Sequence, residues 1–352
     1  MTEPGRPAAA AATAAAASAA ALITSTRLGG ELLGDLAENI RPPTELDAYR
    51  VQAIARRLLE AAGFGRQSGW KIGCTTEVMQ AYLNIDSPCA GTTFQASTWH
   101  GRHAFTVPPR GRLGVECEIA VRLARDLPKR DAPYELADMP AAVAASMAAI
   151  EVVQDRYVDY PSLDTPTLIA DDFFHHACVL GPPSESMRPE SLRDVTASMT
   201  INGLQVGRGA GTDILGEPLQ VLCWLANNAA AWRTPLLAGD VILLGSLVQT
   251  QWVQAGDAVT VTNDPLGEVA ADFTGPARLA DAAPLVVRMR ITPRGADVRQ
   301  PGGHLVRHRC GRLDASRTDV QRAVAEAGRE PGVVEVPVVE HLRLERHAHE
   351  LA

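Results

Sequence analysis

The residues of this 352-residue chain best suited to chemistry are acidic side chains set inside apolar runs. In GVECEIAVRL, Glu116 and Glu118 alternate with Val115, Cys117 and Ile119. An extended backbone throws both carboxylates to one face and packs the apolar residues behind them. Carboxylates placed so closely repel each other unless water or a cation lies between them. The pair therefore reads either as a solvated strand face or as half of a site for a hard cation such as Mg²⁺ or Mn²⁺. Glu151 stands alone between Ala148-Ala149-Ile150 and Val152-Val153, and a lone charge there has to be paired, ligated or at an edge. Three converging carboxylates would raise one another's pKa values, whereas with Mg²⁺ they make an open octahedral site with places left for water and substrate. Lys71, between Trp70 and Ile72, reads either as a strand-end lysine snorkelling to water or as a desolvated proton carrier.

The elements that must position these groups follow from local pattern. Leu46 to Ala62 has helical spacing behind a Thr44/Asp47 cap and stops at Gly63. Trp70 to Thr76 reads as a short strand running into a cap, Glu77 to Leu83 as a short helix, and Asp86-Ser87-Pro88 as a turn. Strands are expected at His103 to Val107, through the Glu116/Glu118 run and at Ile150 to Val153, the last preceded by an Ala-rich helix from Ala141 to Ala149. Asp155 to Asp172 is a polar, Pro-bearing connection of a length that is often functional. Ser198 to Val206 alternates around Asn202-Gly203 as a hairpin, and Pro218 opens a helix reaching about Trp232. Further strands follow at Asp240 to Leu244 and Ala258 to Val261. Strands outnumber helices and arrive in clusters, which predicts α+β with a folded or barrel-like sheet rather than a doubly wound parallel one.

Composition narrows the function. A formal charge of −8 argues against general nucleic-acid binding. Six cysteines without a CxxC pair suit a reducing cytosol better than a zinc ribbon or a disulfide framework. No apolar run reaches the ~20 residues needed to cross a bilayer. Residues 1–40 are too Ala-rich for a good signal-peptide core and read as a low-complexity leader, disordered or loosely helical. The Gly207-Arg208-Gly209-Ala210-Gly211 run lacks the Lys-Ser/Thr of a phosphate-binding loop. His175 and His176, adjacent on a strand, face opposite ways and so do not both serve one ion, and Asp171 and Asp172 read as turn or hydrogen-bonding residues.

In order, WKIG, MQAYLNIDSP, GVECEIAVRLARDLP, AAIEVVQDRYVDY, LIADD, INGLQVGRGAGTDILGEPLQVLCWLANN and LLAGDVILLGSL resemble the 2-keto-4-pentenoate hydratase group of the fumarylacetoacetase superfamily. 4-Oxalocrotonate decarboxylase is a near relative of that group. The resemblance covers about Arg41 to Phe273, leaving the leader and a 275–352 extension outside it. It implies an α+β, fumarylacetoacetase C-terminal-domain-like fold, a mixed β-roll with flanking helices, around a Mg²⁺ or Mn²⁺ site. Carried over by motif, Glu116, Glu118 and Glu151 match the metal ligands and Lys71 the acid/base lysine. Asp86 of the IDSP turn is a catalytic candidate, and Ser246 of GSL a substrate-binding one. Two departures stand out: Cys89-Ala90 replaces an acidic or aromatic pair after the turn, and ADDFFHH replaces an ADNAS-type stretch, so that Phe173 and Phe174 reshape the pocket.

The function implied is a lyase that adds water to 2-hydroxypenta-2,4-dienoate or a relative through a metal-stabilised enolate. Decarboxylation of an oxalocrotonate-type acid uses the same logic. Hydrolysis of an acylpyruvate needs a water-activating base, and no convincing His–Glu pair precedes Glu116. A homologue without activity, serving as a binding or assembly protein, would not need the cation. The expected partners are a small 2-oxo acid and further copies of the chain in a homo-oligomer, with no nucleic acid and no membrane, in the cytoplasm.

Overall fold

The computed structural model describes residues 6–275, apart from 77–79, 81–84, 86 and 233. Among them are two sheets, of eight and five strands. The larger contains β1 (Gln67–Gly73), β2 (Cys89–Phe94), β3 (Thr98–His100), β5 (Arg112–Leu123), β6 (Val143–Asp155), β7 (His175–Leu180), β10 (Val241–Ser246) and β11 (Gln251–Val253). Its order is β2-β1-β10-β5-β6-β7-β3, with β11 also on β5. The end strands β2 and β3 are consecutive in the chain, and the sheet curls until they meet. Ser68 on β1 joins Thr93 of β2 and Thr98 of β3 through hydroxyl contacts of 3.0 Å each. The result is the α+β roll that the strand pattern predicts.

Facing inward are Ala120, Met147, Ala149, Cys178, Leu180 and Leu243, a small buried cluster of their own. On the outer face Val115, Cys117, Ile119, Ile150, Val152 and Val179 join the main core. The second sheet, β4 (Arg102–Thr106), β13 (Gly267–Thr274), β12 (Ala258–Asp264), β8 (Thr196–Ile201) and β9 (Leu204–Ala210) in spatial order, packs there. Buried Asn263 fastens the two sheets, donating to the Glu118 carbonyl at 2.8 Å while its side-chain oxygen accepts from Cys117 Sγ.

Two expectations are corrected. The Ala-rich stretch 141–149 is not a helix: Val143–Asp155 is one continuous strand. Alanine favours a helix locally, but pairing along the whole of β5 decides the outcome. Nor is the N-terminal stretch disordered: of the two states expected of it the helical one holds, and the helix is packed rather than loose. Arg6–Gly29 is helix α1, packed on α2 (Glu45–Leu59) with Ala19, Ala20 and Ile23 fully buried. The small side chains that make its sequence look featureless let the two helices approach closely. Two further α-helices are α3 (Thr165–Ala170) and α4 (Pro218–Ala231). No helix among the described residues is long and apolar enough to cross a membrane.

Candidate metal centre

Strand register brings the acidic residues together. Glu116 and Glu151 are direct partners in the antiparallel β5–β6 pairing, and Glu118 follows on the same face opposite Ala149. One oxygen from each of the three lies within 4.8 Å of the others. Lys71 reaches this face laterally, since it pairs with Leu243 on β10 and Leu243 pairs with Ala120 on β5. Its Nζ is 3.5 Å from Glu151 Oε1, with both side chains almost wholly buried.

Each carboxylate has one oxygen fixed by a neighbour. Thr250 Oγ1 donates to Glu116 Oε1 at 2.5 Å. The Gly245 N–H donates to Glu118 Oε2 at 2.6 Å, and the ring of His175 meets Glu151 Oε1 at 2.9 Å. Glu118 Oε1 and Glu151 Oε2 are left buried with no hydrogen-bond partner. A bare buried carboxylate oxygen costs several kcal/mol, and here two of them belong to a cluster of oxygen donors. Such a set fits a hard divalent cation. The Gly245 contact needs glycine: its φ is 116°, and a Cβ there would lie 2.0 Å from Thr75 Oγ1.

Burial sets the electrostatics. It raises all three carboxyl pKa values, that of Glu116 to about 7 with Glu151 adding to the rise. Glu118 stands well above the usual carboxylate range, pushed first by burial and then by Glu151 and Glu116. Glu151 is also raised by burial, against the pull of Lys71. Burial alone would lower Lys71, but Glu151 and Glu116 outweigh it and raise the ammonium above its ordinary value. His175 is held well below the histidine range by burial and by Lys71, so its ring is neutral.

A strained strap closes this end of the roll. Asp172, Phe173 and Phe174 all have positive φ, at 56°, 47° and 68°, a conformation that persists only where surroundings hold it. The holders are Thr92, whose N–H and hydroxyl both donate to Asp172 Oδ1, and Arg27 of α1, 2.9 Å from Asp172 Oδ2. Gly91 gives the strap room, because a Cβ there would sit 2.4 Å from the Asp172 carbonyl oxygen. Phe173 is thereby laid over Lys71, its ring centroid 5.1 Å from Nζ.

The structure thus gathers Lys71, Glu116, Glu118 and Glu151. Ser246 pairs with Glu118 in register, but its hydroxyl is engaged by backbone, donating to the Val248 carbonyl at 2.6 Å and accepting from Cys117 N–H. Asp86 lies outside the described residues, as do most of the short helix expected at 77–83 and the extension after Gly275. Sequence reasoning missed Thr250 and Gly245 and did not assign His175 to the site. Asp171 and Asp172 are hydrogen-bonding residues, as expected from their types.

With this geometry in hand, comparison with known proteins gives the class. Residues 75–274 match the family model described as fumarylacetoacetate (FAA) hydrolase C-terminal, and the chain belongs to that family. The chain is 35% identical over 232 residues to a 2-keto-4-pentenoate hydratase of Burkholderia vietnamiensis, covering 64% of this chain and 85% of that one. It is 30% identical over 244 residues to the 2-hydroxyhexa-2,4-dienoate hydratase of Comamonas testosteroni, covering 69% and 91%. Among solved structures, the 4-oxalocrotonate decarboxylase of Pseudomonas putida G7, complexed with magnesium and adipate, matches with a TM-score of 0.67 and 27% identity, over 73% of this chain and 97% of that one.

Proposed function

We propose that the chain is a divalent-metal-dependent hydro-lyase that adds water to 2-hydroxypenta-2,4-dienoate or a close relative. The observation that carries this reading is the trio of carboxylates beside one lysine, Glu116 half-buried and Glu118 and Glu151 buried with an oxygen left bare on each. The similarity to hydratases that act on short unsaturated 2-oxo or 2-hydroxy acids supports it. Glu116, Glu118 and Glu151 would hold Mg²⁺ or Mn²⁺. When bound, the cation supplies Lewis-acid stabilisation to negative charge on the 2-oxygen and carboxylate of the substrate, worth several kcal/mol.

The protein's own groups do the rest. Lys71, whose ammonium Glu151 and Glu116 favour, is the acid that delivers a proton to C5 of the dienol, and the proton lost from the 2-hydroxyl passes through water to restore the ammonium. The product of that step is a 2-oxo-3-enoate. The hydroxyl of one water then adds at C4 and its proton at C3, giving a 4-hydroxy-2-oxo acid. Phe173 keeps bulk water from the lysine. Decarboxylation of an oxalocrotonate-type acid is the second reading, favoured by the likeness to the decarboxylase and by its need for the same stabilised enolate. The reading extends to a cytoplasmic homo-oligomer. The free, buried cysteines suit a reducing compartment, and Leu204 and Val206, exposed on edge strand β9, suit contact between copies.

The test is a screen of 2-hydroxypenta-2,4-dienoate, 4-oxalocrotonate and an acylpyruvate, each with and without added Mg²⁺, with products identified by NMR. Mg²⁺-dependent hydration of the dienoate is the expected outcome. Release of CO₂ from oxalocrotonate without hydration of the dienoate would replace it by the second reading, and inertness toward all three would overturn both.

A further inference from the structure

The mechanism above gives His175 no task, yet its side chain is almost wholly buried and its Nδ1 lies 2.9 Å from Glu151 Oε1. We infer that His175 is a positioning residue: its Nδ1–H holds Glu151 Oε1 and so turns the other oxygen, Oε2, toward the cation. The inference rests on reading the three glutamates as the cation site. Glu151 bound to a cation is ionised and can only accept, so the imidazole proton belongs on Nδ1. The other ring nitrogen, Nε2, is buried without a partner, which suits a ring used through one nitrogen only.

The backbone is built to deliver this ring. Regular pairing continued from Glu151–Cys178 and Val152–Ala177 would set His176 opposite Val153 and turn it toward the carboxylates. Instead a bulge skips His176 and pairs Val153 with His175. A bulge of this kind re-aims a side chain, and here it exchanges which of two adjacent histidines faces the cluster. Arg156 fixes the result, donating from Nη1 to the His175 carbonyl at 2.8 Å and from Nε to Asp171 at 2.6 Å. Lys71 shares Glu151 Oε1 but has to release its proton in turnover. A neutral N–H on the same oxygen keeps the carboxylate aligned throughout, as partners of metal ligands commonly do.

The experiment is calorimetric titration of Mn²⁺ into the full-length protein, its His175→Leu and His175→Asn variants, and Glu118→Gln as control for the site. His175→Leu should weaken Mn²⁺ binding about 10–100-fold, while His175→Asn, whose amide N–H reaches the place of Nδ1, should bind nearly as wild type. Equal binding by wild type and His175→Leu, with binding abolished by Glu118→Gln, would overturn the inference alone. So would equal losses in the Leu and Asn variants, which would make packing the cause. No Mn²⁺ uptake by wild type, or none lost in Glu118→Gln, would remove the cation site and this inference with it. Should His175→Leu fail to fold, ¹⁵N NMR of the Mg²⁺-loaded wild type decides. The imidazole signal missing from His175→Asn must show the proton on Nδ1, and a proton on Nε2 would overturn the inference.

Discussion

Two buried charge clusters meet at one end of the roll, and they are built on opposite principles. In the strap cluster, Arg27 and Arg156 face Asp171 and Asp172, with contacts of 3.1, 2.9 and 2.6 Å, so positive and negative groups match one for one. In the carboxylate cluster, Glu116, Glu118 and Glu151 face only Lys71, which leaves a formal excess of two negative charges when all are ionised. The strap cluster is complete in itself and serves structure. The carboxylate cluster lacks that balance, and a divalent cation would supply it. Burial without charge balance, rather than burial of charge as such, distinguishes the site from its support.

Four measurements would break or sharpen that contrast. The largest effect is expected from Glu118→Ala, which should abolish Mg²⁺-dependent turnover, a loss of about 10³-fold or more. The metal-free variant should melt no lower than wild type, because an uncompensated buried acid has gone; full activity would sink the site. Asp171→Ala should behave in the reverse way, costing ~3–5 kcal/mol of stability in denaturant melts by stranding Arg156. A loss near zero would show that the strap cluster is not the structural one. Lys71→Ala should slow exchange of solvent deuterium into the substrate by about 10²–10⁴-fold while leaving Mn²⁺ affinity close to wild type. Unchanged exchange would remove Lys71 from its role.

The smallest effect is that of pH. Folding raises Glu116 from an ordinary 4.5 to about 7, so the metal-free folded chain holds this proton more tightly than the unfolded one. That contribution to stability is full below the unfolded value and lost as pH rises through about 7. Thermal melts of the metal-free protein should therefore decline over that window, and added Mg²⁺ should reverse the decline. Mg²⁺ affinity should itself fall as the solution is acidified below about 7, because proton and cation compete for Glu116. A pH-independent Mg²⁺ affinity would place the cation elsewhere.

The glutamates and Lys71 were legible in the sequence because each is a charge inside an apolar strand, a pattern that burial either forbids or uses. The fold class was legible for the same reason, through alternation and turn residues. Thr250 and Gly245 were not, since their contacts with Glu116 and Glu118 depend on how the 245–250 segment returns beside β5, which leaves no periodic trace. His175 was hidden by a bulge: strict alternation from Cys178 points to His176 instead. The Ala-rich 141–149 stretch misled because local helix preference was overridden by pairing along β5. Residues 6–29 misled likewise, small side chains there marking a close helix contact.

Arg27 gives that first helix a reach beyond its own length. Residues 6–29 carry the pin for the Asp172–Phe174 turn, and that turn keeps Phe173 above the lysine. Removing α1 would take that pin away and leave Thr92 as the remaining holder of Asp172, with the sequence of every strand intact. A shortened version begun at residue 41 would keep Lys71 and the three glutamates and lose the latch.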